Sequence, residues 1–564
     1  MGGPAEARAG GAGPGLGPGG GGGGAWVGVG GGAYLPRGGA APGAAASARR
    51  AVERGQGAAW NRLCSAAEDA AWAGSLARRA PLAGLPVLAN LRCGAWYVAQ
   101  PDGTCHFKST DGHHGRWDVP LARLNLPAAR LAARHGGLVI VDATRRGKRF
   151  PDALSKTVPL WAAVLNRVAY RLRVPGAAAV AEGDQEGEGG WDSELHTPLW
   201  VPAQERAQME ALLEGLVDRA LGVGAASLRE ALKGLRRPLR PLWLSPESRL
   251  SLTEDDGEAG AAGVNGGIGA CTREAALRAF TPLYLVSASR VAAPHEARVP
   301  EGARWTWDYV QGAGDDAEHW AEGLTPEGFW AHRELLLGPG PAGLGARIAE
   351  VVALLGKGGG PGLTVAGTHR YAAAGCGEAV ADLVTRGEDG VFWIRGTGLG
   401  LGDAAAGAAP RAADAILNCG LDTPEGSAAA AASGGRALHL PVRHYKERRG
   451  PQLSSVLPAA LEACRKWLGE GLRVLVHCDD GRDVCVCVAV VVLLGLYAPT
   501  ADGELCLDQS ALQSPLRAAD KGRVRQVLAY VSAAYPPAQA SRGMLKQVYE
   551  FFREPHGPES LPTD

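Results

Sequence analysis

Four consecutive apolar residues, Leu138 to Val141, deliver an acid, Asp142, into a loop crowded with positive charge, and no other stretch constrains the fold as tightly. The run predicts a short buried strand with Asp142 at its carboxyl end, followed by Arg145, Arg146, Lys148 and Arg149 around Gly147. Ligands of open α/β sheets gather at that edge of the sheet, and a loop of this charge suits phosphates. Taken alone, the same cluster also reads as a solvated basic turn between a strand and a helix.

A chain of 564 residues should hold two or more domains. Residues 1–45 are almost entirely Gly, Ala and Pro, with Glu6 the only acid, and cannot bury enough apolar surface to offset chain entropy; they are expected to be a disordered tail. Biased stretches near 176–196, 254–270, 338–362 and 398–435 are expected to be loop insertions, since loop closure costs little more as a loop lengthens. Around these insertions two domains are expected, 50–335 and 360–555. Lysines plus arginines number 58, as do the acids, so a nucleic-acid partner would have to be held by local patches. The 11 cysteines show neither a CxxC pair nor the spacing of a secreted scaffold, so neither a structural zinc nor a disulfide framework is expected, and a reducing, cytoplasmic setting fits. The amino terminus lacks the apolar core of a secretory signal, Glu6 stands where a myristoylation motif needs Ser or Thr, and the longest apolar run, Val484 to Tyr497, is too short to span a bilayer. No membrane partner is expected.

Along the chain, Trp60, Leu63, Cys64 and Ala67 fall on one face of a predicted helix, as do Met209, Leu212, Leu213 and Leu216. Pro159 suits a helical first turn, with Trp161, Val164, Leu165 and Val168 as the apolar stripe behind it. LYLVSAS, from Leu283, reads as a further buried strand. In the carboxyl-terminal region, strands are expected at Ile416–Cys419, Leu438–Val442 and Val474–Val476, and helices at Val456–Leu468, Val524–Ala534 and Ser541–Phe552, an α/β pattern with a parallel sheet.

Within that region RVLVHCDDGRDVCVCVAVVVLLGLY places Cys478 directly after a strand and before a long apolar helix, where free backbone N–H groups and the helix dipole favour an anion and a thiolate. With ILNCG and LHLPV upstream, the layout resembles the dual-specificity branch of the cysteine-phosphatase fold over roughly 180 residues. That family carries an arginine six residues after the cysteine and a general-acid aspartate after the LPV strand. Here those places hold Val484, and Arg443, His444 and Tyr445. Without a bidentate clamp or proton donor, phosphoryl transfer is not expected. The loop then either binds phosphate without reaction, through Cys478, Gly481, Arg482 and Asp483, or is a relic packed in place.

Set in order, LANLRCGAWY, FKSTDGHHGRW, VDATRRGKRFPDALSKTVPLWAAVLNR, YVQGAGDDAEHWAEGLTPEGFW and HCDDGRD resemble the initiator tRNA adenosine-64 2′-O-ribosylphosphate transferases, from about residue 50 to 555. The resemblance implies a mixed α/β protein with an amino-terminal transferase domain and a carboxyl-terminal cysteine-phosphatase-like domain. It implies transfer of a 5-phosphoribosyl group from phosphoribosyl pyrophosphate to a 2′-hydroxyl in the T-stem of initiator tRNA, with Mg²⁺ as cofactor. Loss of pyrophosphate from an anomeric carbon passes through a cationic centre, which calls for carboxylates near the sugar and cations near the phosphates. Asp142 is accordingly expected to hold the ribose hydroxyls directly or through Mg²⁺, while Thr144 to Gly147, Lys148, Arg149 and Lys156 meet phosphates. Ala143 departs from the usual phosphoribosyl-pyrophosphate motif, which has a second acid there. Lys108, Ser109 and Thr110 are candidate phosphate ligands, and Asp111 or His113 the acceptor of the hydroxyl proton. Asp315 and Asp316, after Gln311 and a glycine loop, are candidate Mg²⁺ ligands or a helix cap. Two rival readings are a non-catalytic RNA-binding protein with a degenerate phosphatase domain, opposed by acids set among the cations, and an active cysteine phosphatase, opposed by Val484.

Overall fold

The computed structural model describes residues 42–145, 147–181, 190–248, 279–293, 296–298, 305–357, 390–408, 412–421, 436–443, 452–500, 504–535 and 537–553. The chain falls into two units, Met1–Glu53 and Arg54–Asp564. All that follows concerns the second. Arg146, residues 254–270, His444, Tyr445 and most of the expected tail lie outside the described residues.

A first sheet takes the order β2-β1-β3-β5-β4, all parallel, from β1 (Val87–Asn90), β2 (Gly103–Cys105), β3 (Leu138–Asp142), β4 (Leu239–Leu244) and β5 (Thr281–Ser287). Strand side chains alternate between faces, and here both faces are covered. Leu138 and Ile140 join the core beneath helices Leu126–His135, Val158–Arg171 and Ala203–Leu221, while Val139 and Val141 join the core beneath the helical stretch from Ala59 to Leu76 and helix Leu344–Lys357. That is why β3 is apolar without interruption. Gly136, at φ +72°, closes helix Leu126–His135 in a left-handed cap and starts the turn into β3. Its neighbour β1 sends the chain to β2 on one side, while β3 sends it towards β4 on the other. The carboxyl ends of β1 and β3 therefore flank a topological switch point, where open α/β sheets form their ligand crevice.

The second sheet runs β11-β10-β12-β9-β8, from β8 (Phe392–Trp393), β9 (Leu399–Gly402), β10 (Ala415–Asn418), β11 (Ala437–His439) and β12 (Val474–His477), parallel except for the β8 edge. Helix Val484–Leu496 is buried almost all round, packed between that sheet and helices Leu453–Gly469, Lys521–Ala534 and Arg542–Arg553. Asp520 caps helix Lys521–Ala534 by accepting the Arg523 N–H at 2.7 Å. The fold is thus mixed α/β, with two largely parallel sheets.

Three expectations are corrected. The stretch 398–435 is not simply a loop insertion, because it contributes β9 and β10. Its glycines serve packing: a Cβ on Gly402 would lie 2.5 Å from that of Ala406, and one on Gly400 3.0 Å from the Trp393 ring. Residues 338–362 likewise include helix Leu344–Lys357, whose Leu344, Ile348 and Val351 recur at helical spacing and are buried, so the first domain runs past 335. In helix Ala203–Leu221, Met209, Leu213 and Leu216 face the core but Leu212 is exposed. Among the described residues no helix is long and apolar enough to cross a membrane.

Candidate active site

Asp142 closes β3 at the switch point and is completely buried. Its Oδ2 accepts from Asn90 Nδ2 at 2.8 Å and Arg92 Nε at 3.1 Å; its Oδ1 accepts from the Ala143 N–H at 2.8 Å and the Cys93 thiol at 3.1 Å. Arg92, in the loop after β1, also donates through Nη1 to Asp315 at 2.8 Å. One guanidinium thus ties the two acids together. Burial opposes the charge on Arg92, but Asp142 and Asp315 outweigh it and hold the pKa above its ordinary value. Burial, reinforced by Asp142, pushes the Cys93 thiol well up, so it remains a hydrogen-bond donor and not a nucleophile.

This geometry corrects two assignments. Asp142 has no free face for a ribose or a metal; it positions Arg92. Asp142, Asp315 and Asp316 do not converge on one point either, because Arg92 stands between the first two and Asp316 is paired with Arg145 at 3.5 Å. Among the described residues no three potential ligands form a metal cage. Asp315 and Asp316 still suit the usual manner of Mg²⁺ binding, one or two carboxylates completed by substrate phosphates.

The acidic loop is rigidly held. Tyr97 Oη accepts the Gly314 N–H at 2.7 Å, Ser289 Oγ accepts that of Gly312 at 3.1 Å, and Arg62 donates to the Ala313 carbonyl at 2.8 Å. Behind Ser289 lies Asp69, which accepts from the Ser289 and Tyr309 hydroxyls, both at 2.6 Å. Burial, working against those two hydrogen bonds, pushes Asp69 up from 3.8 to about 8. In the unfolded chain this carboxyl ionises near 3.8, whereas the folded protein keeps its proton to about 8, so its contribution to stability falls as pH rises between those values and is flat above. Urea midpoints between pH 5 and 8 should fall less steeply in Asp69→Asn than in the wild type; parallel profiles would show that Asp69 is already ionised when folded.

The basic loop leaves β3 beside that acidic loop. The Gln311 side chain donates to the Lys148 carbonyl at 2.8 Å, and Ser287, at the end of β5, donates to that of Arg149 at 2.7 Å. Thr144 is buried, Gly147 turns at φ +97°, and Arg145 is largely exposed. Arg149 reaches Ser245 at 2.7 Å, and Lys148 reaches Asp152 at 2.7 Å. The turn Ser109–Gly112 packs on the following helical turn Ala153–Thr157 so closely that a Cβ on Gly112 would meet Thr157 Oγ1 at 2.8 Å. Two motifs 40 residues apart in the chain therefore meet. His113, Lys148 and Lys156 lie 3.6, 2.7 and 3.7 Å from Asp152.

The candidates here divide. Asp111 is held at 2.7 Å by Arg123, and Lys156 at 2.6 Å by Glu205, which makes both structural. Ser109 accepts the Ala153 N–H at 3.4 Å. Lys108, Thr110 and His113 remain exposed. Arg92, Asn90, Asp69, Asp152 and Glu205 went unassigned from the sequence. A charged residue two positions past a buried strand, as in LANLRCG, is the signal that could have found Arg92.

Cys478 and its loop are not part of this cluster. They line a separate cavity of about 390 Å³ with Asp479, Asp480, Arg482 and Asp483. Asp480 accepts the Arg482 N–H at 2.9 Å and lies 3.5 Å from the Cys478 sulfur. The loop's own carboxylate thus occupies donors that a phosphate would need, and three acids against one arginine repel an anion. Asp483 accepts the Ser541 N–H at 2.8 Å, and Gly481, at φ +66°, is fixed by Tyr535, whose Oη would be 2.6 Å from a Cβ. The geometry favours the relic over the phosphate anchor.

Comparison with known proteins follows the same division. The model described as the Rit1 N-terminal domain matches residues 52–353, and that described as the Rit1 DUSP-like domain matches residues 436–552. An uncharacterized protein of Schizosaccharomyces pombe is 36% identical over 281 residues, 49% of this chain and 52% of its own length. The tRNA A64-2′-O-ribosylphosphate transferase of Saccharomyces cerevisiae is 34% identical over 258 residues, 44% of this chain and 46% of its own. The chain spans about half the length of these curated relatives. Among solved structures, a single-substitution variant of human DUSP28 aligns with 28% of this chain and 90% of its own at 20% identity and a TM-score of 0.21. With the first model alone covering more than half of its length, the chain belongs to the Rit1 family.

Proposed function

We propose that this chain transfers a 5-phosphoribosyl group from phosphoribosyl pyrophosphate to the 2′-hydroxyl of a T-stem adenosine, adenosine 64, of initiator tRNA in the cytoplasm, keeping that tRNA out of elongation. The observation that carries the reading is Arg92 bridging Asp142 and Asp315 at the switch point, beside a pinned loop of exposed cations. A yeast relative is named as a tRNA A64-2′-O-ribosylphosphate transferase; in this reading the reaction is of pentosyltransferase type.

In this reading Arg145, Lys148 and Arg149, with Lys108 and Thr110 opposite, take the donor's phosphates. Fixed cations aimed at a leaving diphosphate stabilise the charge that develops as the glycosidic bond breaks. Magnesium, bound with those phosphates at Asp315 and Asp316, would supply further neutralisation. His113, half-exposed and oriented by Asp152 at 3.6 Å, is the better acceptor for the proton of the attacking hydroxyl, since Asp111 is held by Arg123.

Purified protein incubated with initiator tRNA, labelled phosphoribosyl pyrophosphate and Mg²⁺ should place label in the T-stem. Cys478→Ser should retain at least half of the wild-type rate, and neither protein should hydrolyse a generic phosphoester. Unlabelled tRNA, or phosphatase activity lost with Cys478, would overturn the proposal.

A further inference from the structure

The protein as a whole is electrically balanced, with 58 basic and 58 acidic residues. One cleft, of about 1860 Å³, is not. Eight Lys or Arg side chains line it against two acids, Glu327 and Glu550. The cations come from both domains. Lys108, Arg123 and Arg130 stand on the transferase side; Arg482 and the pairs Lys521/Arg525 and Arg542/Lys546 stand on the phosphatase-like side. Each pair is spaced i, i+4, so two helices each turn two positive charges to the cleft.

The charges are also largely uncommitted. Among the described residues Lys108, Arg482, Lys521, Arg525 and Arg542 form no ion pair with a carboxylate, whereas Lys546 pairs with Glu550 at 3.4 Å and Arg123 with Asp111 at 2.7 Å. Arg130 is buried to 7% exposure; its Nη1 donates to the Ala533 carbonyl at 2.6 Å, and its Nε has no partner among the described residues. Uncompensated positive charge along a groove is the footprint of a polyanion. The cleft also leads to the transfer site: Leu91, next to Arg92, and Lys108, at the head of the polar turn, both line it.

We propose that this cleft holds the phosphate backbone of a tRNA stem, and that the phosphatase-like domain provides one wall of it. This rests on the transferase reading, and it gives Arg482 a place in an RNA groove in place of a phosphatase pocket. A-form RNA is recognised mainly through its backbone and shape, so a strand lying here would be held by its phosphates while an adjoining 2′-hydroxyl reaches the switch point.

The test is Lys521→Glu/Arg525→Glu/Arg542→Glu in the full chain, three exposed positions away from the switch point, alongside the triple glutamine variant. Initiator tRNA binding is measured across salt concentrations, and phosphoribosyl pyrophosphate binding separately. In the glutamate variant tRNA affinity should fall on the order of 10²-fold, and the slope of log K against log salt should become shallower by about 2–3, as expected for three lost phosphate contacts. Glutamine should give a smaller loss, of about tenfold, while donor affinity stays within about twofold. A folded glutamate variant with wild-type tRNA affinity and slope would overturn the groove even if transfer continued. Wild type that binds polyglutamate as tightly as tRNA would overturn RNA as the occupant. If the wild type binds tRNA, the variants weaken it as stated, and no label is transferred, the groove stands and the transferase reading falls.

Discussion

Arg92→Ala should destabilise the protein by about 3–5 kcal/mol and reduce phosphoribosyl transfer at least 10²-fold. The side chain is 17% exposed, and its partner Asp142 is wholly buried. Removing the cation strands a carboxylate where water cannot reach it, and breaking one side of a buried pair carries a penalty of that order. Asp315 would lose the contact that fixes it beside the basic loop, which is how a positioning residue acts on turnover. Arg92→Lys should not rescue it, since one ammonium cannot replace a fork that reaches Asp142 through Nε and Asp315 through Nη1. The double variant Arg92→Ala/Asp142→Asn should be more stable than Arg92→Ala alone, because it removes the stranded charge. Urea unfolding of the three variants decides the matter; wild-type stability in Arg92→Ala would show the pair to be incidental.

Gly312→Ala is the second large effect. At φ +66° a Cβ there would lie 2.5 Å from the Arg145 nitrogen and 2.6 Å from the Thr144 carbonyl oxygen, so backbone and not a flexible side chain must yield. The left-handed conformation costs a non-glycine residue about 1–2 kcal/mol, and overpacking adds about 1–3 kcal/mol. The acidic and basic loops would be forced apart, and a displacement of about 1 Å at a reacting centre can cost roughly 10²-fold in rate. Transfer should fall by at least that factor while far-ultraviolet circular dichroism stays unchanged. Full activity in Gly312→Ala would mean that the two loops do not act together.

The sequence was readable wherever a pattern is local. The β3 run with its terminal Asp142, the strand–Cys478–helix layout and the Trp161 stripe each follow from neighbours a few residues apart, and each is present. Arg92 was not readable as a bridge, because its partners lie 50 and 223 residues away and only the order of strands brings them together. Glu205 was missed for the same reason, since its partners His114 and Lys156 come from other segments; Asp152 pairs locally with Lys148 and Lys156 at helical spacing, and only His113 reaches it from another segment. Conversely, Asp142 looked like a ligand because an acid at a strand end often is one, and nothing in its vicinity along the chain announced that Asn90, Arg92 and Cys93 would enclose it. Strand β9 was hidden by its glycines, which composition alone assigns to loops.

The core beneath the first sheet includes Ala529 and Ala533, which belong to a helix of the phosphatase-like half, and the Ala533 carbonyl also binds Arg130. A cut between residues 357 and 390 would therefore open apolar surface on both pieces. The second half of the chain cannot be removed without unroofing the first.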